Sequence, residues 1–298
     1  MASSSMRRKG RIQWRVILGL GFLGFLILAS ASSHAGNRLL ATGGVMQLEG
    51  SAGGGLTPWA LIAGLGTNRQ TGASAFCTTV APQAFELRSC GFAVGIHDRV
   101  ELSFARQHFD LDEIIPDTAI YQTVVGAKVK LLGDAVFDGD KWYPQLSAGV
   151  QYKKNSSYDF VPALLGARDD SDVDFYLAAT KVYLAGPFSR MWLVNATVRA
   201  TRANQFGILG FGGDRKDSRK LEAEGSIAAF LADSLVLGAE YRQKPDNLSS
   251  FREDDYWDVF TAWFPTKNTS VTAAYADLGN IAMKPDQHGL YLSLQGSF

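Results

Sequence analysis

The side chains best placed to do chemistry recur at every second position along otherwise apolar segments. Glu101 and Gln107 form one such set, then Gln122, Lys128 and Lys130, then Gln145, Ser147 and Gln151. Asn195, Thr197 and Arg199 follow, then Glu222, Glu224 and Ser226, then Glu240 and Arg242, opposite Val, Leu and Ala. A period of two puts the polar groups of a strand on one face and the apolar groups on the other. Lys128, Lys130, Arg199, Glu222, Glu224, Glu240 and Arg242 give the polar face both signs of charge. Two kinds of chemistry suit such a face. It could line a narrow channel whose charges select small polar solutes. It could equally brace a closed wall by cross-strand pairs, since a small barrel can be filled or open.

One pair of segments permits a register. Lys220–Phe230 and Leu235–Gln243 flank a turn centred near Asp233. With the apolar phase kept on one side, Glu224 lies opposite Arg242, Ser226 opposite Glu240 and Glu222 opposite Lys244. A one-residue slip would turn Glu and Arg outward, at ~2–4 kcal/mol per charge if that side is lipid.

The sequence carries no local catalytic or metal-binding pattern. The histidines are His34, His97, His108 and His288. No local motif sets one beside a Ser as a base for nucleophilic hydrolysis. No His, Asp or Glu spacing makes a metal site. The Gly-rich run from Gly43 to Gly55 lacks the Gly-Lys-Ser/Thr ending of a phosphate-binding loop. The expectation is therefore no catalytic residue, no metal, no cofactor and no enzyme, with a lipid hydrolase as the third-ranked alternative. Cys77 and Cys90 are the only cysteines. An even count in an exported chain favours a disulfide, which would staple the first long loop.

The elements that must position these groups are strands. Residues 1–35 read as a secretory signal: Arg7, Arg8, Lys9, Arg11 and Arg15, an apolar core from Val16 to Leu28, and Ser33-His34-Ala35 as a cleavage site. Its removal leaves 24 basic against 29 acidic residues, a net charge of −5, which argues against a nucleic-acid partner. Residues 36–57 form a Gly-rich segment, expected as a plug or as an extra strand around Val45–Glu49. Residues 58–298 divide into twelve expected strands, with fourteen as the alternative count. They begin at Trp59–Thr67 and continue with one ending at Ile96, Val100–Phe109, Tyr121–Leu132, Tyr143–Lys153, Asp174–Leu184, Met191–Thr201, Lys220–Phe230, Leu235–Gln243, Tyr256–Phe264, Ser270–Leu278 and the C-terminal segment. Short turns alternate with long loops, as in antiparallel transmembrane β-barrels. Tyr121, Tyr152, Trp192, Tyr241, Trp257, Trp263 and Tyr275 sit at strand ends in the outward phase, where an aromatic girdle belongs. Two loop stretches are unusually apolar, Phe160–Leu165 and Asn204–Gly213, and could fold inward or touch lipopolysaccharide.

The C-terminus carries a resemblance. Leu290, Leu292, Leu294 and Phe298 share one phase, which resembles the terminal assembly signal of Gram-negative outer-membrane β-barrels. GGVMQLEGSAGGGLTPWALIAGLGT from Gly43, ANQFGILGFGG from Ala203 and EYRQKPDNL from Glu240 resemble an uncharacterised proteobacterial family, filed as a domain of unknown function. That resemblance spans nearly the whole mature chain. It implies an exported envelope protein and assigns no catalytic or binding residue. The expectation is an all-β transmembrane barrel in the outer membrane of a Gram-negative bacterium. Its partners would be outer-membrane lipid, lipopolysaccharide, the barrel-assembly machinery during biogenesis and a small solute of unknown identity, with no nucleic acid. Its function would be a narrow channel or binding barrel for small polar solutes, or else a closed structural or adhesive barrel.

Overall fold

The computed structural model describes residues 42–139 and 141–298. The signal expected over residues 1–35, with His34, lies outside them. Two short strands, β1 (Val45–Met46) and β2 (Ala52–Gly53), pair with each other as an antiparallel hairpin. The wall follows: β3 (Thr71–Pro82), β4 (Glu86–Ile96), β5 (Val100–Asp110), β6 (Ala119–Leu132), β7 (Gln145–Asn155), β8 (Ser171–Tyr183), β9 (Trp192–Thr201), β10 (Lys220–Ala232), β11 (Leu235–Arg242), β12 (Tyr256–Thr266), β13 (Thr269–Asp277) and β14 (His288–Ser297). These twelve close into one antiparallel barrel in sequence order, and β14 pairs with β3. Closure leaves no edge strand, so the wall's backbone groups bond within the wall.

The period-two pattern sorts the side chains cleanly. Phe92, Leu102, Val125, Phe175, Leu177, Val198, Ile227, Leu237, Val259 and Leu292 are large, apolar and exposed on the outside. Gln122, Gln151, Asp174, Arg199 and Glu240 on the inward phase are buried. The outside is apolar and the inside polar, the inverse of a water-soluble sandwich. Tyr152, Tyr241, Trp257, Trp263 and Tyr275 are exposed on the outer face, and Tyr121 and Trp192 are half-buried there.

The structure corrects the start of the wall. Trp59–Thr67 forms no strand; Trp59, Leu61, Ile62 and Leu65 are buried in an irregular run. The first wall strand is Thr71–Pro82, within residues expected to be a loop. Its outward positions Ala73, Ala75, Cys77, Thr79 and Ala81 are small or polar, so its alternation has little contrast. One strand replaces another, and the wall keeps twelve rather than fourteen. Loop lengths are also less regular than expected. Only residues 83–85 join β3 to β4, whereas residues 133–144 join β6 to β7 at the opposite rim.

The C-terminus joins wall and interior. Phe298 donates its N–H to the Ala73 carbonyl at 2.7 Å. Its own oxygen accepts from Ala73 N at 2.9 Å and from Leu65 N at 2.9 Å. The terminal residue thus closes the barrel and anchors the segment that precedes β3. Leu290 and Leu292 are exposed on the outer face, while Leu294 and Phe298 are half-buried.

Cys77 and Cys90 are joined by a disulfide, directly opposite each other across β3 and β4 with a Cα–Cα distance of 4.1 Å. Both lie on the outward face, so the bond ties two wall strands rather than stapling a long loop. Replacing both cysteines by Ala should leave the barrel closed but lower its stability by up to ~3 kcal/mol on the loop-entropy view. Unfolding midpoints in urea for the two proteins check this; identical midpoints would contradict it.

Candidate functional site: a polar lumen filled by the chain itself

Residues 42–66 lie inside the barrel, and nearly all of them are buried. Their fold is largely irregular, so their peptide groups need partners from elsewhere. The wall supplies them. Glu101 accepts from Ala52 N at 3.2 Å and Ala63 N at 2.9 Å. Lys128 donates to the carbonyls of Ala52 at 2.9 Å and Trp59 at 3.1 Å, and pairs with Glu101 at 3.2 Å. Gln145 and Ser147 both donate to the Ala60 carbonyl, and Thr180 accepts from Ala60 N at 2.7 Å. Thr197 donates to Pro58 O at 2.9 Å, and Ser89 and Gln107 donate to Leu48 O. Glu240 accepts from Leu56 N at 2.7 Å, the Thr57 hydroxyl at 2.6 Å and the Ser226 hydroxyl at 2.8 Å. Side chains from most of the wall strands thus converge on one inserted segment.

Glycine makes this fit possible at two places. Gly54 sits where a Cβ would fall 1.9 Å from the Glu240 carboxylate. Gly50 has φ +95°, a left-handed conformation that other residues resist, and its backbone lies against Phe104 and Ala105 of β5.

A compact ion cage surrounds Glu49. Lys153 of β7 contacts one carboxylate oxygen. Arg242 of β11 donates to the other at 2.8 Å, and Arg199 of β9 stands 3.7 Å from it. Gln47 also donates to Glu49 at 2.8 Å. Two wall carboxylates complete the cage. Asp174 lies 2.6 Å from Lys153 and 3.4 Å from Arg199, and Glu224 lies 2.5 Å from Arg199 and 3.4 Å from Arg242.

The structure distributes the expected lumen residues as follows. Glu224 is opposite Arg242 and Ser226 opposite Glu240 in the strand register. Glu224 nevertheless makes its closest ion pair with Arg199, its neighbour on the other side. The β10–β11 pairing ends at Glu224, so Glu222 and Lys244 do not meet; Lys244 pairs with Glu253 instead. Glu222 is half-buried near the rim, opposite Arg199 in the β9–β10 register. Lys130 lies at the opposite rim, paired with Asp98 of the turn. Lys153, Asp174 and Asp258 were missed, although each shares the inward phase of its strand. Asp258 is opposite Glu240, buried, and neither of its carboxylate oxygens has a hydrogen-bond partner among the described residues.

A second segment covers the cage. The apolar stretch after β9 turns inward, burying Phe206, Ile208, Leu209 and Phe211. The Phe206 ring stacks on Tyr256 at 4.4 Å and lies 4.3 Å from the Arg242 guanidinium. Gln122 donates to Phe206 O at 3.0 Å, and Asn155 to Ile208 O at 2.6 Å. The other apolar loop forms a short helix, α1 (Val161–Leu164), whose Leu164 and preceding Phe160 stay exposed. Behind the cover, Lys244 and Glu253 form a buried pair at 2.9 Å, and Gln205 donates to Glu253 at 2.6 Å. Burial pushes the Glu253 carboxyl up to about 7, against the pull of Lys244 and with help from Asp246 and Asp254. Toward the opposite rim, an apolar cavity of ≈ 20 Å³ lies among Val45, Trp59, Leu193, Phe230, Phe260 and Phe264. It has room for little more than one water-sized molecule. Among the described residues, the inserted segment and the cover fill the lumen.

The three described histidines stand apart from this centre. His97 lies in the β4–β5 turn with φ 52°, His108 of β5 has its ring tilted against Tyr121 of β6 at 4.9 Å, and His288 contacts Gln83 at the rim.

A closed antiparallel wall with an apolar outer band, aromatic rims and a polar interior defines the class of transmembrane β-barrels. Within that class, the chain belongs to the family described as "Protein of unknown function (DUF3034)", which matches residues 42–295 and so takes in both the inserted segment and the wall. No curated protein matches the sequence. Among solved structures it is similar to a KdgM porin, at 13% identity over 76% of this chain and 99% of that one, with a TM-score of 0.48. It is similar to the outer membrane protein Omp33 of Acinetobacter baumannii, at 9% identity over 78% and 100%, TM-score 0.45. It is also similar to the COG4313 outer membrane channel from Pseudomonas putida F1, at 14% identity over 76% and 95%, TM-score 0.44.

Two outcomes follow from this geometry. Glu101→Ala strips a buried Lys128 of its counter-ion and two peptide N–H groups of their acceptor. Breaking a buried pair from one side should cost ~3–5 kcal/mol. Denaturant unfolding measures it, and a loss under ~1 kcal/mol would contradict the central place given to this contact. For Glu253, the folded cover keeps a proton between the ordinary 4.5 and about 7 that the unfolded loop has released. Its contribution is therefore full below 4.5 and is lost as pH rises through about 7. Protease cutting within residues 203–211, taken relative to Glu253→Gln, should accelerate across that rise. A flat ratio would refute the assignment.

Proposed function

We propose that the protein is an outer-membrane channel for small polar solutes that rests closed, with residues 42–66 as its gate. The observation that carries this reading is how the gate is held. The wall grips the segment largely through peptide groups, by Glu101, Lys128, Gln145, Ser147, Thr197 and Glu240. Water can replace each of those contacts, and a hydrogen bond exchanged with water is worth only ~0.5–1.5 kcal/mol net. Withdrawal of the segment would leave a wall suited to water and solute. The reading assigns no catalysis, because the barrel's polar interior is spent on holding the segment. Its place in the outer membrane is supported by the exposed apolar band and its aromatic rims, which suit lipid and the lipid–headgroup boundary. The barrel-assembly machinery and lipopolysaccharide are the partners such a location brings.

A closed structural barrel is the second reading. Leu48, Leu56, Leu61 and Ile62 of the inserted segment are buried, which favours permanent filling. Planar-bilayer recording separates the two. The intact protein should show rare, brief openings, and a variant lacking residues 42–64 should show a steady, larger conductance. Heat-modified migration on a gel confirms that the variant is folded. A folded variant that stays silent would leave the structural reading standing and defeat the channel.

A further inference from the structure

The cage around Glu49 has features that holding the segment does not require. Lys153, Arg199 and Arg242 come from three different wall strands and converge on one carboxylate that the wall does not supply. All three cations are at least nine-tenths buried. They are also fixed without Glu49. Arg199 is held by Glu224 at 2.5 Å, by Gln151 at 2.7 Å and over the Tyr176 ring at 5.2 Å. Arg242 is held by Glu224 and lies against the Phe206 ring, and Lys153 is held by Asp174. A pre-set arrangement of donors is what an anion site needs, because little ordering remains to be done on binding.

The charge count makes the same point. In the wall, three cations face the two carboxylates of Asp174 and Glu224. Glu49 brings the cage to neutrality. When the segment withdraws, one positive charge is left unmatched inside a membrane-spanning wall, where charge is costly without a partner or water. Guanidinium groups match the planar geometry of a carboxylate. We infer that this cage is a binding site for the carboxylate of a small acidic solute, which the protein's own Glu49 occupies in the closed state. The inference rests on the gated-channel reading and names its solute class. Solute and gate then compete for the same three cations, so an acidic solute favours the open form by its preference for the vacated cage.

Glu49→Gln in the full-length protein removes the tethered competitor while keeping the segment. Succinate is the probe, with succinamide and sodium chloride at matched ionic strength as controls, and the thermal unfolding midpoint in micelles as the readout. Succinate should raise the midpoint of Glu49→Gln with an apparent affinity about tenfold or more above that of the native protein. Neither control should do so, and adding Arg242→Gln should abolish the effect. A folded Glu49→Gln that responds no differently to succinate than to chloride would overturn the site. Should Glu49→Gln fail to fold alone, its refolding yield replaces the midpoint. Higher yield in succinate than in chloride supports the site, and equal yields overturn it. The two readings fail separately. Succinate binding with no conductance from the protein lacking residues 42–64 keeps the site and defeats the channel. Conductance without any preference for succinate does the reverse.

Discussion

Polar groups that face the inside of a membrane-spanning barrel must find their partners inside it, because hydrocarbon on the outer face offers none. This chain meets the constraint with its own N-terminal segment. Glu240 would be a buried charge short of partners, and the Glu101–Lys128 pair would keep unmet hydrogen-bonding capacity, if the lumen were narrow, dry and empty. Residues 42–66 answer them with peptide N–H and C=O groups, and Glu49 answers three cations at once. The same bonds explain why the segment is Gly-rich. A close approach of backbone to Glu240 at Gly54 leaves no room for a side chain.

Filling by polar contacts differs from filling by an apolar core. An apolar plug is held by exclusion from water and loses about 25 cal/mol per Å² of apolar area that becomes wet. A plug held by hydrogen bonds exchanges partners with little net change, provided water can enter. This barrel uses both. The polar bonds run to most of the wall, while Leu56, Trp59 and Leu61 add apolar burial near the core cluster. If the segment is the gate proposed above, the balance between them would set how readily it leaves.

Much of the wall is legible in the sequence, because one rule generates it. Lipid outside and polar lumen inside force alternation, and alternation marks eleven of the twelve wall strands. It also places Glu224 opposite Arg242, since a slipped register would expose charge to lipid. The rule is silent where its contrast fails. Thr71–Pro82 turns Ala, Cys and Thr outward and reads like a loop. Trp59–Thr67 is rich in large apolar residues and reads like a strand, yet those residues pack inside the lumen. Lys153 extends the inward set Gln145, Ser147 and Gln151 by one more step, and Asp174 lies on the inward phase of a strand for which no polar set had been drawn. Glu49 could not be found by phase, because its partners lie 104, 150 and 193 residues away, on strands that only closure of the barrel brings together. The cover formed by residues 204–211 announced itself only as an apolar loop.

A gate of this kind must lie inside the barrel and be held there. Amide hydrogen exchange of the native protein in lipid nanodiscs, read peptide by peptide, tests that most directly. Residues 52–63 should exchange as slowly as the wall strands β5 and β11 that bond them, and more slowly than residues 111–118 or 278–287 at the rim. Exchange of residues 52–63 at the rate of those rim loops would place the segment outside the lumen and contradict the account.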